Sequence, residues 1–205
     1  LLEFLASDIY PGQVLALAFH NADDFTISAE AELANKYKIT DYPSYLTDLR
    51  EAGTLSGSGC RLSIETSLYE SQTHSSVAIA SQVADGVCKV DAKLFSEKSM
   101  EYRMAAYAVE DRIVAWQTSS GNSRNENYVH RHVVRKLLSS SVAGDALGVV
   151  NADQEKEHSY EFNVDPSWNL ENMSVVVLAI DKDGHVNNTA QCALNGGSVE
   201  YEMKK

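Results

Sequence analysis

The chain has 205 residues, of which 44% are hydrophobic, and this is enough for one large domain or two small ones with buried cores. Its formal net charge is −12, and a negative field of this kind repels phosphate backbones, so we expect no nucleic-acid partner. The sequence has no run of about 18 apolar residues, so it predicts no transmembrane segment. It also starts without a basic region or a cleavage site, as a mature or trimmed chain does, and a lipid anchor on a removed N-terminus stays an open alternative.

Two apolar runs lie near the start of the chain. Leu1–Phe4 predicts the end of a buried strand, and Gln13–Asn21 predicts a parallel strand that is covered on both faces. Parallel neighbours need a crossover of about a dozen residues or more, and the connection between these runs is shorter than that. Either Leu1–Phe4 is not the parallel neighbour, or residues are missing between Phe4 and Leu5.

Polar residues follow the second apolar run. His20, Asn21 and Asp23 stand at the carboxyl end of a predicted strand, where open α/β sheets place their ligand sites. The alternative is a polar loop in which Asn and Asp side chains satisfy local backbone groups. His20 and Asp23 are therefore candidate binding residues.

The segment Ala29–Tyr45 predicts a short amphipathic helix, a tight turn and a strand that begins at Tyr42-Pro43. From Ala34 to Ser44 the pattern A-x-K-Y-x-I-x-x-x-P-S resembles the segment of thioredoxin-like proteins that leads into the cis-proline. The alternative is a helix followed by an ordinary proline-containing loop. Tyr42 and Pro43 are candidate binding residues or structural markers of that fold.

The next segments complete a predicted first domain, residues 1–73. Ser44–Leu49 predicts a strand, Ser56–Gly59 has the composition of a flexible linker, and Ser63–Ser71 predicts one last helix. We place the domain boundary near Thr73, because the pattern changes from His74 onwards.

Residues 74–205 alternate between apolar and polar positions in many short stretches. The predicted strands are Val77–Ser81, Val87–Phe95, Tyr102–Val109, Arg112–Thr118, Tyr128–Leu138, Ser159–Val164, Met173–Ile180, His185–Leu194 and Val199–Met203. Hairpin turns are predicted at Glu110-Asp111 and at Asp181–Gly184. The pattern is typical of an antiparallel sandwich of the immunoglobulin-like or jelly-roll kind. The predicted class is therefore α+β, with an α/β domain followed by a β-sandwich.

A pair of histidines stands in the predicted strand Tyr128–Leu138. Side chains alternate along a strand, so His130 and His132 are expected on one face, where they are weak candidates for a zinc or copper site. No third ligand stands at a telling distance, and a polar face bonded to a neighbouring strand is the alternative. Arg131 and Arg135 are expected on the opposite face, where an exposed ion pair would explain them.

The chain has three cysteines, and their spacing matches neither a zinc motif nor the C-x-x-C of a redox dithiol. Cys88 and Cys192 fall on predicted inward faces, which favours buried free thiols, with a disulfide between them as the alternative. Cys60 is predicted to be the most exposed thiol. We predict no catalytic residue and no cofactor.

The order of several short motifs resembles one family. The motifs are the opening L-L-E-F, His20-Asn21-x-Asp23, Tyr42-Pro43-Ser44, Glu110-Asp111, His130-x-His132-Val133-Val134-Arg135, Gly144-Asp145 and Trp168-Asn169-x-Glu171-Asn172. Together they are similar to the outer-membrane protein family of about twenty-eight kilodaltons found in gut and oral Gram-negative bacteria. The resemblance implies an exported, lipid-anchored surface or periplasmic protein with a thioredoxin-like domain and a β-sandwich. Many members carry a C-x-x-C after the first strand, and this sequence shows none.

Three hypotheses about function follow. The leading one is a non-enzymatic binding protein of the cell envelope with a protein or glycan ligand, because the chain is acidic and shows no catalytic constellation. The second is a thiol–disulfide oxidoreductase whose C-x-x-C segment is missing between Phe4 and Leu5. The third is a metal-binding sensor that uses His130 and His132.

Overall fold

The computed structural model describes residues 4–50, 52–118 and 124–201. A π-helical turn spans Leu5–Ile9, helix α1 spans Ser28–Tyr37 and helix α2 spans Gly57–Glu70. The strands are β1 Ser44–Leu46, β2 Ala52–Thr54, β3 Ser75–Ala84, β4 Val87–Ser96, β5 Met100–Glu110, β6 Ile113–Thr118, β7 Arg124–His130, β8 Val133–Leu137, β9 Asp145–Val150, β10 Gln154–Asn163, β11 Met173–Asp181, β12 Val186–Ala193 and β13 Gly197–Val199. The chain is mostly antiparallel β-sheet with few helices, which agrees with the predicted mixture of α and β structure.

Two antiparallel sheets enclose the main hydrophobic core. One has the order β10-β4-β3-β13, and the other has the order β12-β11-β5-β8, with β9 also paired to β5. Strand β4 alternates as its sequence predicts, and the inward side chains Cys88, Val90, Ala92 and Leu94 are all buried. Strand β11 is buried on both faces instead, since Val175, Val176 and Val177 are each inaccessible. Another part of the chain must therefore cover its outer face.

The N-terminal segment provides that cover. Leu15, Leu17 and Phe19 pack against the outer face of β5 and β11, and the Phe19 ring meets the ring of Tyr107 edge-on at 5.7 Å. Helix α1 packs on the same side, where Leu33 belongs to a buried cluster with neighbouring residues of the sheet. The apolar run thus reflects burial against a sheet face.

The prediction of a regular parallel strand at Gln13–Asn21 is therefore wrong. Within the described residues, this segment makes a single parallel bridge, between Ala18 and Val133. The Ala18 amide donates to the His132 carbonyl at 2.7 Å, and the Ala18 carbonyl accepts from the Val134 amide at 2.9 Å. The segment lies across the sheet face, so a longer ladder does not form.

The predicted strand Leu1–Phe4 falls mostly outside the described residues. Phe4 is described, has helical backbone angles and leads directly into the π-helical turn, so it is not part of a strand. The hypothesis that residues are missing between Phe4 and Leu5 concerns the gene sequence and stays a prediction.

The segment after the N-terminal cover forms the predicted helix, turn and strand. Helix α1 ends at Lys38, which takes left-handed backbone angles, and the Tyr42-Pro43 peptide bond is cis. Strands β1 and β2 then form a small antiparallel sheet of their own. The linker prediction for Ser56–Gly59 is wrong, because the Ser56 side chain accepts the Gly59 amide and caps helix α2, which begins at Gly57.

The strand predictions need four corrections. Strand β5 does not form a hairpin with β6, because Arg112 has a φ of +59° and redirects the chain so that β6 pairs with β7. The predicted strand Tyr128–Leu138 is two strands, since His132 has a φ of +55°. Strand β9, Asp145–Val150, was not predicted. The final strand is shorter than expected, and residues 202–203 of that prediction lie outside the described ones.

The hairpin of β11 and β12 is confirmed. One carboxylate oxygen of Asp181 accepts the amides of Asp183 and His185, both at 2.9 Å, which closes the turn as an aspartate commonly does. The two strands pair in the register Ser174 to Ala193 through Ile180 to Val186. Across the described ranges, no helix is long and apolar enough to cross a bilayer.

All three thiols are free and buried. The prediction of an exposed Cys60 is wrong, because its side chain packs with Leu5 and Ile64 at the buried side of α2. Burial raises the pKa of Cys60 and Cys88, and it raises the pKa of Cys192 to about 11. Free thiols rather than a Cys88–Cys192 disulfide occupy the core.

Candidate functional site

His20 and Asp23 form a close pair at the end of the N-terminal cover. His20 Nδ1 lies 2.5 Å from Asp23 Oδ2, and the other carboxylate oxygen accepts the Phe25 amide at 2.9 Å. The Asp23 amide in turn donates to the Thr26 hydroxyl at 3.0 Å. Asp23 therefore closes a local turn and orients the imidazole, as the polar-loop alternative predicts, and the role of His20 and Asp23 in binding stays a prediction.

The His20 ring belongs to a cluster of four rings, His20, Phe25, Tyr128 and His130, which we call the histidine cluster. The ring centroids of His20 and His130 are 5.0 Å apart, and Phe25 lies 5.2 Å from each of them. Tyr128 packs against His130 at 4.8 Å. The cluster therefore joins the N-terminal cover to the end of β7, two parts of the chain that are distant in sequence.

His130 is the buried member of this cluster. Its Nε2 lies 3.2 Å from the Trp116 carbonyl, and because a carbonyl only accepts, this nitrogen carries the proton. Burial lowers the pKa of His130 below its ordinary value of 6.5, and nearby His20 acts in the same direction, while the bond to Trp116 opposes both. The neutral imidazole therefore fixes the end of β7.

The expectation that His130 and His132 share one strand face is wrong. The left-handed angles of His132 break the strand between them, and the His132 amide donates to Asp111 Oδ1 at 2.7 Å. Among residues 4–50, 52–118 and 124–201, no group of three or more His, Cys, Asp or Glu side chains is arranged to hold a metal ion.

Arg135 lies beside the histidine cluster in a buried ion pair. Its guanidinium contacts Glu110 Oε2 at 2.5 Å, and Glu110 Oε1 accepts the Asn169 amide at 3.0 Å. The guanidinium also lies over the rings of Phe25 at 5.4 Å and Trp168 at 5.7 Å. The side chains of Arg135 and Glu110 are only 18% and 6% exposed, so the sequence prediction of an exposed pair is wrong.

Tyr42 is connected to the same region through the buried Glu30. The Tyr42 hydroxyl donates to Glu30 Oε1 at 2.5 Å, and the side-chain Nδ2 of Asn21 donates to Glu30 Oε2 at 3.1 Å. This hydrogen bond to the carboxylate raises the pKa of Tyr42. Of the four predicted site residues, His20 and Asp23 thus lie in contact, Tyr42 is linked to them through Asn21 and Glu30, and Pro43 is exposed beside Tyr42.

Strands β6 and β7 together form a ribbon that extends from the histidine cluster. They pair with each other and with no other strand of the described chain. Every residue of β7 is exposed except His130, and the cross-strand pair Val114 and Val129 is 62% and 43% exposed. Arg124 stacks on the Trp116 ring at 4.7 Å near the far end. Sequence analysis predicted β6 and only the last three residues of β7, and it missed that the two strands form a free ribbon.

A model of the family described as outer membrane protein Omp28 matches residues 30–197. The chain belongs to the Omp28 outer membrane protein family. This confirms the resemblance drawn from the order of the motifs, and it assigns the Omp28 protein to the cell envelope. No curated protein is similar enough in sequence to match.

Among solved structures, HBP35 of Porphyromonas gingivalis is similar to this Omp28 protein, with a TM-score of 0.66 and 17% sequence identity. The similarity covers 81% of this chain and 57% of HBP35, so the chain spans little more than half the length of that protein. At this identity the likeness concerns the fold alone.

The buried histidine gives a testable pH dependence. As the pH falls below about 6.5, the unfolded chain binds a proton at His130 before the folded chain does, because the folded pKa is the lower one. The free energy of unfolding is therefore expected to fall from that pH down to the folded pKa.

Urea unfolding of the wild type and of His130→Gln across this pH range measures the effect. The difference between the two proteins is expected to be constant above about pH 7.5 and to shrink as the pH falls, because the variant lacks this titration. If the free energies of unfolding of the two proteins differ by the same amount at every pH, the predicted titration of His130 is contradicted.

Proposed function

We propose that this Omp28 protein is a non-enzymatic binding protein of the cell envelope and that the ribbon is its recognition surface. The observation that carries this proposal is the exposure of the cross-strand pair Val114 and Val129 on one face of two strands that pair only with each other in the described chain. Apolar side chains grouped on an otherwise polar surface are typical of interaction sites.

The base of the ribbon supports this proposal because it is fixed. The histidine cluster, the Trp116–His130 hydrogen bond and the ion pair of Arg135 with Glu110 lie where the ribbon meets the sheets. A recognition element held on a rigid base loses less conformational entropy on binding than a flexible loop would. The ribbon is therefore suited to present its exposed face to a partner.

We also infer the finer architecture that the family resemblance implies. The order of α1, the Tyr42-Pro43 turn, β1, β2 and α2 supports a thioredoxin-like origin for residues 1–73. Two antiparallel sheets around one core support a β-sandwich for residues 74–205. A lipid anchor on a longer precursor would place both at the membrane surface. An experimental structure of the full-length protein tests this division.

The thiols bear on the alternative of a disulfide oxidoreductase. Burial raises the pKa of Cys60, Cys88 and Cys192, and a thiol rather than a thiolate is a poor nucleophile. Redox activity would therefore need cysteines that this sequence does not contain. The gene sequence across Phe4 and Leu5 decides between a binding protein and an oxidoreductase, since a C-x-x-C at that point would favour the oxidoreductase.

The recognition surface is tested by a matched pair of valine substitutions. Val114 on the ribbon and Val149 on β9 are 62% and 59% exposed and both lie in strands, so each tolerates Asn with a similar, small loss of stability. Binding of the protein to an array of outer-membrane polysaccharides, host matrix proteins and envelope proteins is then compared for the two variants.

Val114→Asn is expected to weaken any specific binding by about tenfold or more, and Val149→Asn to leave it within about twofold. Equal losses for both variants would contradict the assignment of the ribbon. Turnover of a substrate by the intact protein, with no ligand found, would contradict the non-enzymatic function.

A further inference from the structure

Strand β6 is an edge strand without the usual protection. Its six residues, Ile-Val-Ala-Trp-Gln-Thr from Ile113 to Thr118, include no charge and no proline. Proteins normally protect exposed edges with charged residues, prolines or a covering segment, because an open edge pairs with other strands. Strand β10, at the edge of the other main sheet, has that protection in Glu155, Lys156, Glu157 and Glu161.

The outer edge of β6 is open in the structure. Within the described chain, the backbone groups of Ile113–Thr118 make no backbone hydrogen bond outside the ribbon. The Trp116 carbonyl is bonded by the His130 ring, and the register shifts between Ala115 and Gln117. The stretch Ile113–Ala115 before this irregularity is regular and can continue a ladder on its free side.

The charge of the ribbon differs from that of the rest of the chain. Residues 111–118 and 124–131 include three arginines, Arg112, Arg124 and Arg131, and two carboxylates, Asp111 and Glu126, whereas the whole chain has a net charge of −12. Arg112 precedes β6 at the base, and Arg124 pairs with Thr118 at the far end. Arg124 is already paired with Glu126 at 2.8 Å, so the additional positive charge lies at the base of the ribbon, where Arg112 is exposed.

We propose that β6 binds an extended, acidic polypeptide segment of a partner protein by β-strand addition. The backbone of the segment pairs with the free edge of β6, its apolar side chains pack beside Val114, and its carboxylates face Arg112. This inference rests on the proposed function, and it adds the class of partner.

Three blocked peptides of about ten residues test the proposal with the full chain, measured by fluorescence anisotropy. The first alternates Val and Glu, the second alternates Val and Lys, and the third is the Val-Glu peptide with every backbone nitrogen methylated, so that neither of its edges can donate a ladder hydrogen bond. Each is measured against the wild type, Arg112→Glu and the control Lys89→Glu. Lys89 is an exposed residue of β4, remote in sequence from the ribbon.

The acidic peptide is expected to bind at least about tenfold more tightly than the basic one, and N-methylation is expected to remove binding because it blocks the ladder. Arg112→Glu is expected to weaken the acidic peptide by about tenfold, with Lys89→Glu within about twofold. Undiminished binding of the methylated peptide, or no binding of the acidic one, would overturn the proposal.

Two further outcomes separate this proposal from the proposed function. Polysaccharide binding that depends on Val114 but no peptide binding would overturn the polypeptide partner and leave the ribbon as the recognition surface. Concentration-dependent self-association that Val114→Asn abolishes would overturn it in favour of a second copy. If no ligand binds in a way that depends on the ribbon, while circular dichroism shows that the fold is intact, both the proposed function and the polypeptide partner are overturned.

Discussion

Arg135→Met is expected to lower the free energy of unfolding by about 3–5 kcal/mol, because it leaves a buried carboxylate without its counter-charge. The Glu110 side chain is 6% exposed. Within the described residues, its carboxylate accepts one other hydrogen bond, from the backbone amide of Asn169. The substitution also removes the guanidinium that lies over the Phe25 and Trp168 rings. Urea or thermal unfolding, followed by circular dichroism, measures the change.

Two controls separate charge burial from simple loss of packing. Replacing Glu110 by Gln in the Arg135→Met background removes the unpaired charge but keeps an acceptor for Asn169, so the double variant is expected to be more stable than the single one by about 1–3 kcal/mol. Arg124→Met removes an exposed pair with Glu126, whose side chains are 57% and 64% exposed, and its cost is expected to be below about 1 kcal/mol. Equal costs for Arg135→Met and Arg124→Met would contradict a buried pair.

Arg135→Met also tests the link between the ribbon base and binding. Arg135 contacts Phe25 of the histidine cluster, so its loss loosens the junction from which β6 and β7 extend. We therefore expect weaker binding at the ribbon even at temperatures where the variant is fully folded. Binding unchanged at those temperatures would show that the base has a purely structural role.

Gly144→Ala is expected to be the other strongly destabilising change, with a loss of about 3 kcal/mol or more. Gly144 has a φ of +77°, and a Cβ at this position would lie 2.7 Å from the backbone carbonyl atoms of Met104. The turn cannot move away easily, because the Arg103 guanidinium bonds the carbonyls of Ala143, at 2.8 Å, and Gly144. The three nearest atoms all belong to the Met104–Ala105 peptide group, so no flexible side chain can move aside.

Gly184→Ala is the matched control for that variant. Gly184 has a similar φ of +83°, in the turn between β11 and β12, but a Cβ there would have no heavy atom within 4 Å. Its cost is expected to be about 1 kcal/mol, from backbone strain alone. Thermal unfolding compares Gly184→Ala, which has backbone strain alone, with Gly144→Ala, which has backbone strain and a steric clash. Equal losses of stability would contradict close packing at Gly144.

The sequence was most informative where a pattern reports on its immediate surroundings. The alternation in β4 and the Asp181–Gly184 hairpin depend on neighbouring residues and their turn, and both were predicted. The apolar side chains of the run Gln13–Asn21 pack against the protein, as predicted, but most are only partly buried and the run was assigned to the wrong structure. An apolar run indicates that its side chains are buried, but it does not indicate whether a neighbouring strand or the face of a sheet covers them.

The candidate site shows the same limit. His20 and Asp23 were predicted together because they follow the same apolar run three residues apart, and the structure places them in contact. Arg135 and Glu110 were not predicted as a buried pair, since 25 residues separate them and only the pairing of β5 with β8 brings them together. Sequence spacing holds no information about such contacts.

By itself, the sequence determined the mixed class, the alternating strands of the second half, the acidic charge and membership of an envelope protein family. Only the tertiary structure decided that the N-terminal run covers a sheet, that His130 meets His20 and that β6 and β7 stand free as a ribbon. The physical reason is that hydrophobic burial is non-directional, so a local pattern specifies that a side chain is covered but not by which part of the chain.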